Sequence, residues 1–269
     1  WWTYMFYATI VWSVYYFAAY PGLGNYKGFL NWTSSNQGIK NLAESKAAVE
    51  QNKLDGKNVQ LDREYDAANE TYAKEFAKYT SRDILDLAYD PDALKVGQRL
   101  FLQNCSQCHG SDARGQRGFP NLTDDDWLYG GTPDKIKETL LYGRKAAMPA
   151  WGDALGEQGV KEMTAYVLSL SGRKVNDKDA AAGKAKFGMC AACHGADGKG
   201  SLAHNLPFGA PNLTDNTWLY GGSHGAVEET LNKGRNGQMP AFKEILGEDK
   251  IHIISAYVYR LSRPEESSK

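Results

Sequence analysis

The chain has 269 residues, with 31 Lys and Arg against 32 Asp and Glu, for a net charge of -1. That length allows roughly two domains, and the charge balance argues against the basic face of a nucleic-acid binder. Charged residues at 23% and hydrophobic residues at 42% fit neither wholesale disorder nor a polytopic membrane protein, and 4 Cys are too few for a disulfide scaffold of this size.

Residues 1–20 read WWTYMFYATIVWSVYYFAAY, without a charge. Twenty helical residues span about 30 Å, the thickness of a bilayer's hydrocarbon core. Trp1, Trp2 and Tyr4 at one end and Tyr15, Tyr16 and Tyr20 near the other suit the two membrane–water interfaces. Pro21 then stops the helix. We expect a transmembrane anchor over 1–24. A signal peptide or a buried core helix fits the aromatic content and length less well. The chain starts at Trp1 rather than Met, so the true N-terminus is expected to lie upstream.

Residues 33–92 are polar and rich in Ala, Lys, Glu and Asp, and a connecting stalk is expected over 25–90. Thr33, Ser34 and Ser35 are candidate caps for a helix running through Ala43 to Val49. Leu54-Asp55-Gly56-Lys57 reads as a turn. Tyr65, Ala68, Tyr72, Phe76 and Tyr79 form a helical stripe over 60–79. Ser81 is a candidate cap for a short helix over 82–88. We expect a solvated helical stalk without chemistry, with the stripe facing partner subunits.

The rest of the chain is a repeat. Residues 120–131 (PNLTDDDWLYGG) return as 211–222 (PNLTDNTWLYGG). Upstream of each lies Cys-x-x-Cys-His: Cys105, Cys108 and His109, then Cys190, Cys193 and His194. Downstream of each lies Met-Pro-Ala-aromatic, at Met148 and Met239. The repeats set two domains, 91–174 and 175–264, with 265–269 as a tail.

Cys-x-x-Cys-His is the attachment signal for c-type haem. Two thiols add to the two vinyl groups, and the adjacent His supplies one axial nitrogen. A zinc site would want four protein ligands closed around the metal. A thioredoxin-type redox pair would want a βαβ context. Two copies in register, each with a later Met, point instead to two covalently attached haem c groups. Met opposite His is the cytochrome c arrangement and raises the potential. Met189 adjoins Cys190, Met163 reads as a core gap-filler, and Met5 lies in the membrane segment, which leaves Met148 and Met239. Arg144 and Arg235, four residues before these, are candidates to pair with haem propionates. Trp127 and Trp218 either donate their indole N–H to propionates or simply pack. The Pro120 and Pro211 carbonyls are candidate acceptors for the second ring nitrogen of His109 and His194. Gly97 and Phe101 precede Cys105 as Gly183 and Phe187 precede Cys190, one residue closer in the second copy. The glycines let each N-terminal helix pack on the C-terminal helix bearing Tyr166 or Tyr257. His204, His224 and His252 lack repeat counterparts and read as surface or packed histidines.

The fold class expected is mainly α: an N-terminal transmembrane helix, a helical stalk, and two tandem class I cytochrome c-like haem domains with almost no sheet and approximate internal symmetry. The whole resembles the dihaem subunit of cbb3-type cytochrome c oxidase, the CcoP/FixP family. The most specific pieces are Tyr20–Gly28 (YPGLGNYKG), His109–Asp112 (HGSD), Gly143–Gly152 (GRKAAMPAWG) and Gly234–Ala241 (GRNGQMPA). The resemblance implies a non-catalytic electron-transfer subunit in a bacterial inner membrane, with its haem domains in the periplasm. It implies a soluble or tethered cytochrome c or a bc1 complex as donor. A monohaem cytochrome c subunit would take the electrons on to the haem–copper catalytic subunit, in an oxidase that couples to proton pumping. It also implies axial pairs His109 with Met148 and His194 with Met239, with Cys105, Cys108, Cys190 and Cys193 as anchors. Two other readings compete: a free-standing membrane-tethered dihaem carrier similar to cytochrome c4, and a peroxide-reducing or gas-binding dihaem protein with one open iron position.

Overall fold

The computed structural model describes residues 1–21, 28–30, 42–56 and 60–263. The chain divides into two compact units, residues 1–73 and 74–269. In the first, α1 (Trp2–Ala19) exposes every side chain except that of Ala19. Phe29 returns to set its ring against Tyr15, with 5.9 Å between centroids. Among the described residues no helix is long and apolar enough to cross a membrane. The expected span falls short for a chemical reason. Its Tyr, Trp, Thr and Ser side chains carry polar atoms that lower mean hydropathy without introducing a charge. The Thr9 and Ser13 hydroxyls spend theirs on the Phe6 and Thr9 carbonyls of the helix itself.

Two polar helices follow, α2 (Leu42–Leu54) and α3 (Gln60–Thr80). Asp55 and Gly56 turn the chain between them as expected, and Lys53 Nζ pairs with Asp66 Oδ1 at 2.7 Å. The proposed caps at Thr33 to Ser35, Lys57, and the Tyr65 and Ala68 side chains lie outside the described residues.

The second unit begins inside α3, so the stretch read as stalk does not all stand apart. Tyr79 is buried, as are Ile84, Leu87 and Ala88 on and after α4 (Ile84–Leu87), in one core with helices of the haem repeats. Phe76 packs on that core, while Tyr72 stays exposed. The cap of α4 is Asp83, two residues after the expected Ser81.

Each repeat then runs through the same series. In the first, α5 (Pro91–Asn104), α6 (Ser106–His109), α7 (Pro133–Tyr142), β1 (Arg144–Met148) and α8 (Gly152–Leu170) follow in order. In the second, α9 (Asp177–Lys186), α10 (Gly188–His194), the extra turn α11 (Gly200–Ala203), α12 (His224–Lys233), β2 (Arg235–Met239) and α13 (Lys243–Leu261) do. The starts are capped by the residue types that do this well. Asp90 accepts from the Asp92 and Ala93 N–H groups, Thr132 from Lys135, Asn176 from Lys178 and Asp179, and Ser223 from Ala226. The residue missing between Phe187 and Cys190 is absorbed locally: the Cys190 N–H bonds to the Phe187 carbonyl, a tighter turn than the Cys105-to-Phe101 bond of the first copy.

β1 and β2 form an antiparallel ribbon, the one sheet among the described residues, with Arg144 opposite Met239, Ala146 opposite Gly237 and Met148 opposite Arg235. The register is its own mirror under exchange of the repeats, so an approximate two-fold axis passes by Ala146 and Gly237. The ribbon also carries each chain segment over to the other half. Past β1, the Trp151 N–H bonds to the Leu231 carbonyl at the end of α12; past β2, the Phe242 N–H bonds to the Leu140 carbonyl at the end of α7.

The long C-terminal helices therefore pack across the repeats. α13 buries Ile251, Ile253, Ile254, Ala256 and Val258 against Ala93, Leu100 and Phe101 of α5 and Ile136 and Leu140 of α7. α8 buries Val160, Met163, Val167 and Leu168 against Phe187, Cys190, Val227 and Leu231. Gly97 faces Tyr257, where a Cβ would come within 2.6 Å of the tyrosine Cβ; Gly183 faces Tyr166 at 2.8 Å. The close helix pairs expected at both glycines form, but each with the helix of the other repeat. Met163 is fully buried, as a gap-filler should be.

Candidate functional site

Each Cys-x-x-Cys-His sits on a short helix that ends in a glycine with positive φ, Gly110 at 80° and Gly195 at 78°. His109 and His194 are both buried, at 8% exposure. Nδ1 of His109 lies 3.0 Å from the Pro120 carbonyl, and Nδ1 of His194 lies 3.0 Å from the Pro211 carbonyl. A carbonyl only accepts, so Nδ1 carries the proton and donates. That fixes the tautomer with the Nε2 lone pair free to ligate. Burial holds both imidazoles below their ordinary pKa, against a smaller opposing effect of the carbonyl bond. The ring is thus neutral, the form a metal needs.

Burial, with Cys108 adding, pushes the Cys105 thiol up to about 11; burial, with Cys193 adding, raises Cys190 as well. Such thiols are poor thiolates, unlike the lowered-pKa cysteines of metal–thiolate sites. Among the described residues no group of three or more His, Cys, Asp or Glu is gathered as a closed metal site would require.

The two candidate methionines pack away from their own motifs. Met239 packs against the core that holds Cys105, Phe101, Ile136 and Leu140, and Met148 against the core that holds Cys190, Phe187, Val227 and Leu231. Each methionine thus packs on the core beside the cysteine motif of the other repeat. The cause is the ribbon. Gly143 (φ 69°) and Gly234 (φ 68°) turn the chain into it, with no Cβ to collide with the opposing Met239 and Met148 backbone. A strand of five residues then spans about 17 Å, enough to leave its own repeat.

The tryptophans fall with their own motifs: Trp127 packs on the first core, Trp218 on the second. Both indole Nε1 atoms are buried without a hydrogen-bond partner. A buried unsatisfied N–H costs about 1–3 kcal/mol, so packing alone accounts poorly for two such orphans at equivalent positions. An anionic acceptor in each pocket would satisfy them. The arginines are partly committed. Arg144 donates from Nε to Thr139 Oγ1 (2.8 Å) and from Nη1 to Glu138 Oε1 (2.9 Å), with its guanidinium 4.9 Å from the Tyr129 ring centre. Arg235 donates from Nε to Thr230 Oγ1 (2.9 Å) and stacks 4.5 Å from the Tyr220 ring centre. This Thr–Glu–Tyr frame around each arginine escaped the sequence reading. Its signal was there in Glu138-Thr139-Leu140 and Glu229-Thr230-Leu231, repeated before the two arginines.

The three unrepeated histidines have ordinary partners. His204 Nε2 meets Asp197 Oδ1 at 2.9 Å, His224 Nδ1 meets Glu228 at 3.5 Å, and His252 bridges the Arg82 carbonyl and Lys137. Asp126 is more unusual. Burial, then Asp215 and Asp124, push its carboxyl up to about 6 from an ordinary 3.8. Its ionisation therefore opposes folding, fully above pH 6 and not at all below about pH 3.8. Asp126→Asn should raise the unfolding temperature at pH 7.5 and lose that advantage as the pH falls from 6 to 4. An equal gain at both ends in thermal unfolding would count against it.

Two Cys-x-x-Cys-His helices with buried, carbonyl-oriented histidines, each beside a core on which a methionine packs, point to the cytochrome c class. The sequence profile for cytochrome C oxidase, cbb3-type, subunit III matches residues 92–167 and 178–258, and that for the N-terminal domain of cytochrome oxidase-cbb3, FixP, matches 1–27. The chain belongs to the family of cbb3-type cytochrome c oxidase subunit III. It is 44% identical over 264 residues to the cbb3-type cytochrome c oxidase subunit CcoP of Rubrivivax gelatinosus, covering 98% of this chain and 78% of that protein. It is 33% identical to the FixP subunit of Azorhizobium caulinodans (97% of this chain, 86% of that protein) and 35% identical to the CcoP subunit of Cereibacter sphaeroides (98% and 89%).

Proposed function

We propose that this chain is the dihaem electron-transfer subunit of a cbb3-type oxidase, holding one haem c in each pocket. The observation that carries the reading is the pair of equivalent motif sites. Each combines two cysteines, a buried neutral imidazole, a methionine packed on the core that holds the motif's first cysteine, and an orphaned indole N–H. Haem c would supply a one-electron iron couple. The chain's residues do the rest. Cys105 and Cys108, and Cys190 and Cys193, would anchor the haem covalently. His109 with Met239, and His194 with Met148, would ligate the iron. Trp127 with Arg144, and Trp218 with Arg235, would bind the propionates. With both ligands supplied by the chain, the bound group would serve electron transfer without bond-making here.

Electrons would enter from a cytochrome c or bc1 donor and leave through a monohaem subunit to the haem–copper subunit. We place α1 in the bacterial inner membrane, with the haem repeats on the periplasmic side. What supports this is a charge-free helix that exposes Trp, Tyr, Phe and Ile on all sides, residues that suit an interface or a lipid core better than water.

Purification in mild detergent tests the assembly. Co-purifying b-type haem and copper, with oxygen consumption on reduced cytochrome c, is the expected result. Two c-type haems alone would favour a free-standing tethered carrier. The reduced protein is also expected to bind carbon monoxide slowly or not at all, since both pockets keep a methionine; rapid binding at one haem would sink the pure electron-transfer reading.

A further inference from the structure

The two arginine frames differ in one respect. In the first, Glu138 is shared between Arg144 and Lys135 of its own helix, at 2.9 and 2.7 Å. In the second, Glu229 has Lys233 of its own helix at 3.7 Å and is taken as well by a residue of the other repeat: Arg117 Nη2 donates to Glu229 Oε2 at 2.6 Å. Arg235 Nη2 is left 3.4 Å from the same oxygen, ion-paired by distance yet buried without a hydrogen-bond partner.

Arg117 is not a loose surface side chain that happens to reach. It sits at the tip of a tight turn closed by Gln116 and Phe119, which exchange backbone bonds. The next residue, Gly118, donates its N–H to the Leu219 carbonyl at 2.8 Å, between Trp218 and Tyr220 of the second motif. The turn is thus fastened to the second repeat's own pocket wall. The carboxylate of Glu229 lies below the usual range, first because of Arg117 and then because of Arg235.

We propose that Arg117 is a positioning residue for the second repeat's propionate site: by occupying Glu229, it leaves the Nη2 of Arg235 free to bind an anionic group. The proposal rests on the reading of the pocket as a haem c site. A guanidinium aimed at a propionate offsets negative charge near the iron and favours the reduced state. Without Arg117, Glu229 would draw Arg235 in, as Glu138 draws Arg144. The propionate would then be less compensated, and the potential of that haem would fall. Arg117 is exposed and Glu229 half-buried, with side chains at 62% and 34%, and such a pair contributes little to stability, so the variant should fold.

The experiment is a redox titration of the detergent-solubilised holoprotein, with haem content measured on the same samples. Arg117→Ala should lower the potential of one haem and leave the other in place. The change in the electron-partition constant should be at least threefold, about 30 mV at 59 mV per decade for one electron. The affected haem should be the one that Arg235→Gln also lowers, and Arg117→Lys should restore most of the shift. In a Glu229→Gln background, Arg117→Ala should have no effect, because its route is gone. Two covalent haems with no shift in Arg117→Ala would overturn this proposal alone. So would an equal shift in the Glu229→Gln background, which would mean Arg117 acts directly by its charge. A wild-type chain without two covalent haems would overturn the haem reading and this proposal with it.

Discussion

Met239→His is expected to lower the midpoint potential of the haem on Cys105 and Cys108, and to leave the haem on Cys190 and Cys193 near its original value. Thioether ligation raises a haem potential and a second imidazole lowers it. With axial ligands commanding a range of about 0.8 V, a fall on the order of 0.2 V is expected. Pairing within each repeat would move the other haem instead. Potentials alone do not say which haem moved, so the assignment needs a spatial probe. With 13C-methyl methionine in the reduced protein, the ε-methyl of Met239 should show Overhauser contacts to the thioether protons at Cys105 and Cys108. Contacts to those at Cys190 and Cys193 would reject the crossed arrangement. Met239 packs with Cys105, and Met148 with Cys190.

The second large effect concerns the helix pairs. Gly97→Val should destabilise the haem unit by about 3 kcal/mol, at the upper end for overpacking, because its Cβ would fall 2.6 Å from the Cβ of Tyr257 and 3.2 Å from the Ile253 carbonyl. Backbone and a β-carbon cannot swing aside as a side-chain tip can. The informative measurement is the pattern of relief in thermal unfolding. Tyr257→Ala also loses a ring that stacks 5.6 Å from Phe101, so it is itself destabilising, yet it should be less than additive with Gly97→Val. Tyr166→Ala, whose ring sits 5.1 Å from Phe187, should add fully. Neighbours couple and distant sites do not. The reverse pattern would mean that each repeat closes on its own C-terminal helix.

Much of this was legible in the residues. The paired Cys-x-x-Cys-His motifs, the histidine–carbonyl bonds at Pro120 and Pro211, and the dense helix pairs at Gly97 and Gly183 follow from local chemistry, and the structure places them so. What the sequence hid is which partner each helix takes. Tyr166 and Tyr257 occupy equivalent repeat positions, so either suits Gly97 equally well by pattern. The choice is made by the strands Arg144–Met148 and Arg235–Met239, whose short runs RKAAM and RNGQM lack the alternation that announces a strand. They pair because the repeat places two such segments antiparallel around an axis, a tertiary fact rather than a local one. The end of the stalk shows the same limit: Ile84 and Leu87 are too few to signal a core on their own, and find it only against α13. The tryptophans show the opposite case. Sequence left packing and hydrogen bonding open, and the orphaned N–H groups tip the balance toward an acceptor.

The exchange of C-terminal helices also sets an order of assembly. Helix α5 precedes the first haem motif, yet the helix that covers it, α13, ends at Leu261. A ribosome that has finished the first repeat has therefore made a cysteine pair and a histidine with no distal wall. That wall arrives only after the whole second repeat has been synthesised. Contacts so far apart along a chain form slowly. The first motif accordingly stays uncovered for longer than a self-contained domain would leave it, and cutting the chain between the repeats yields two halves that each lack the other's lid.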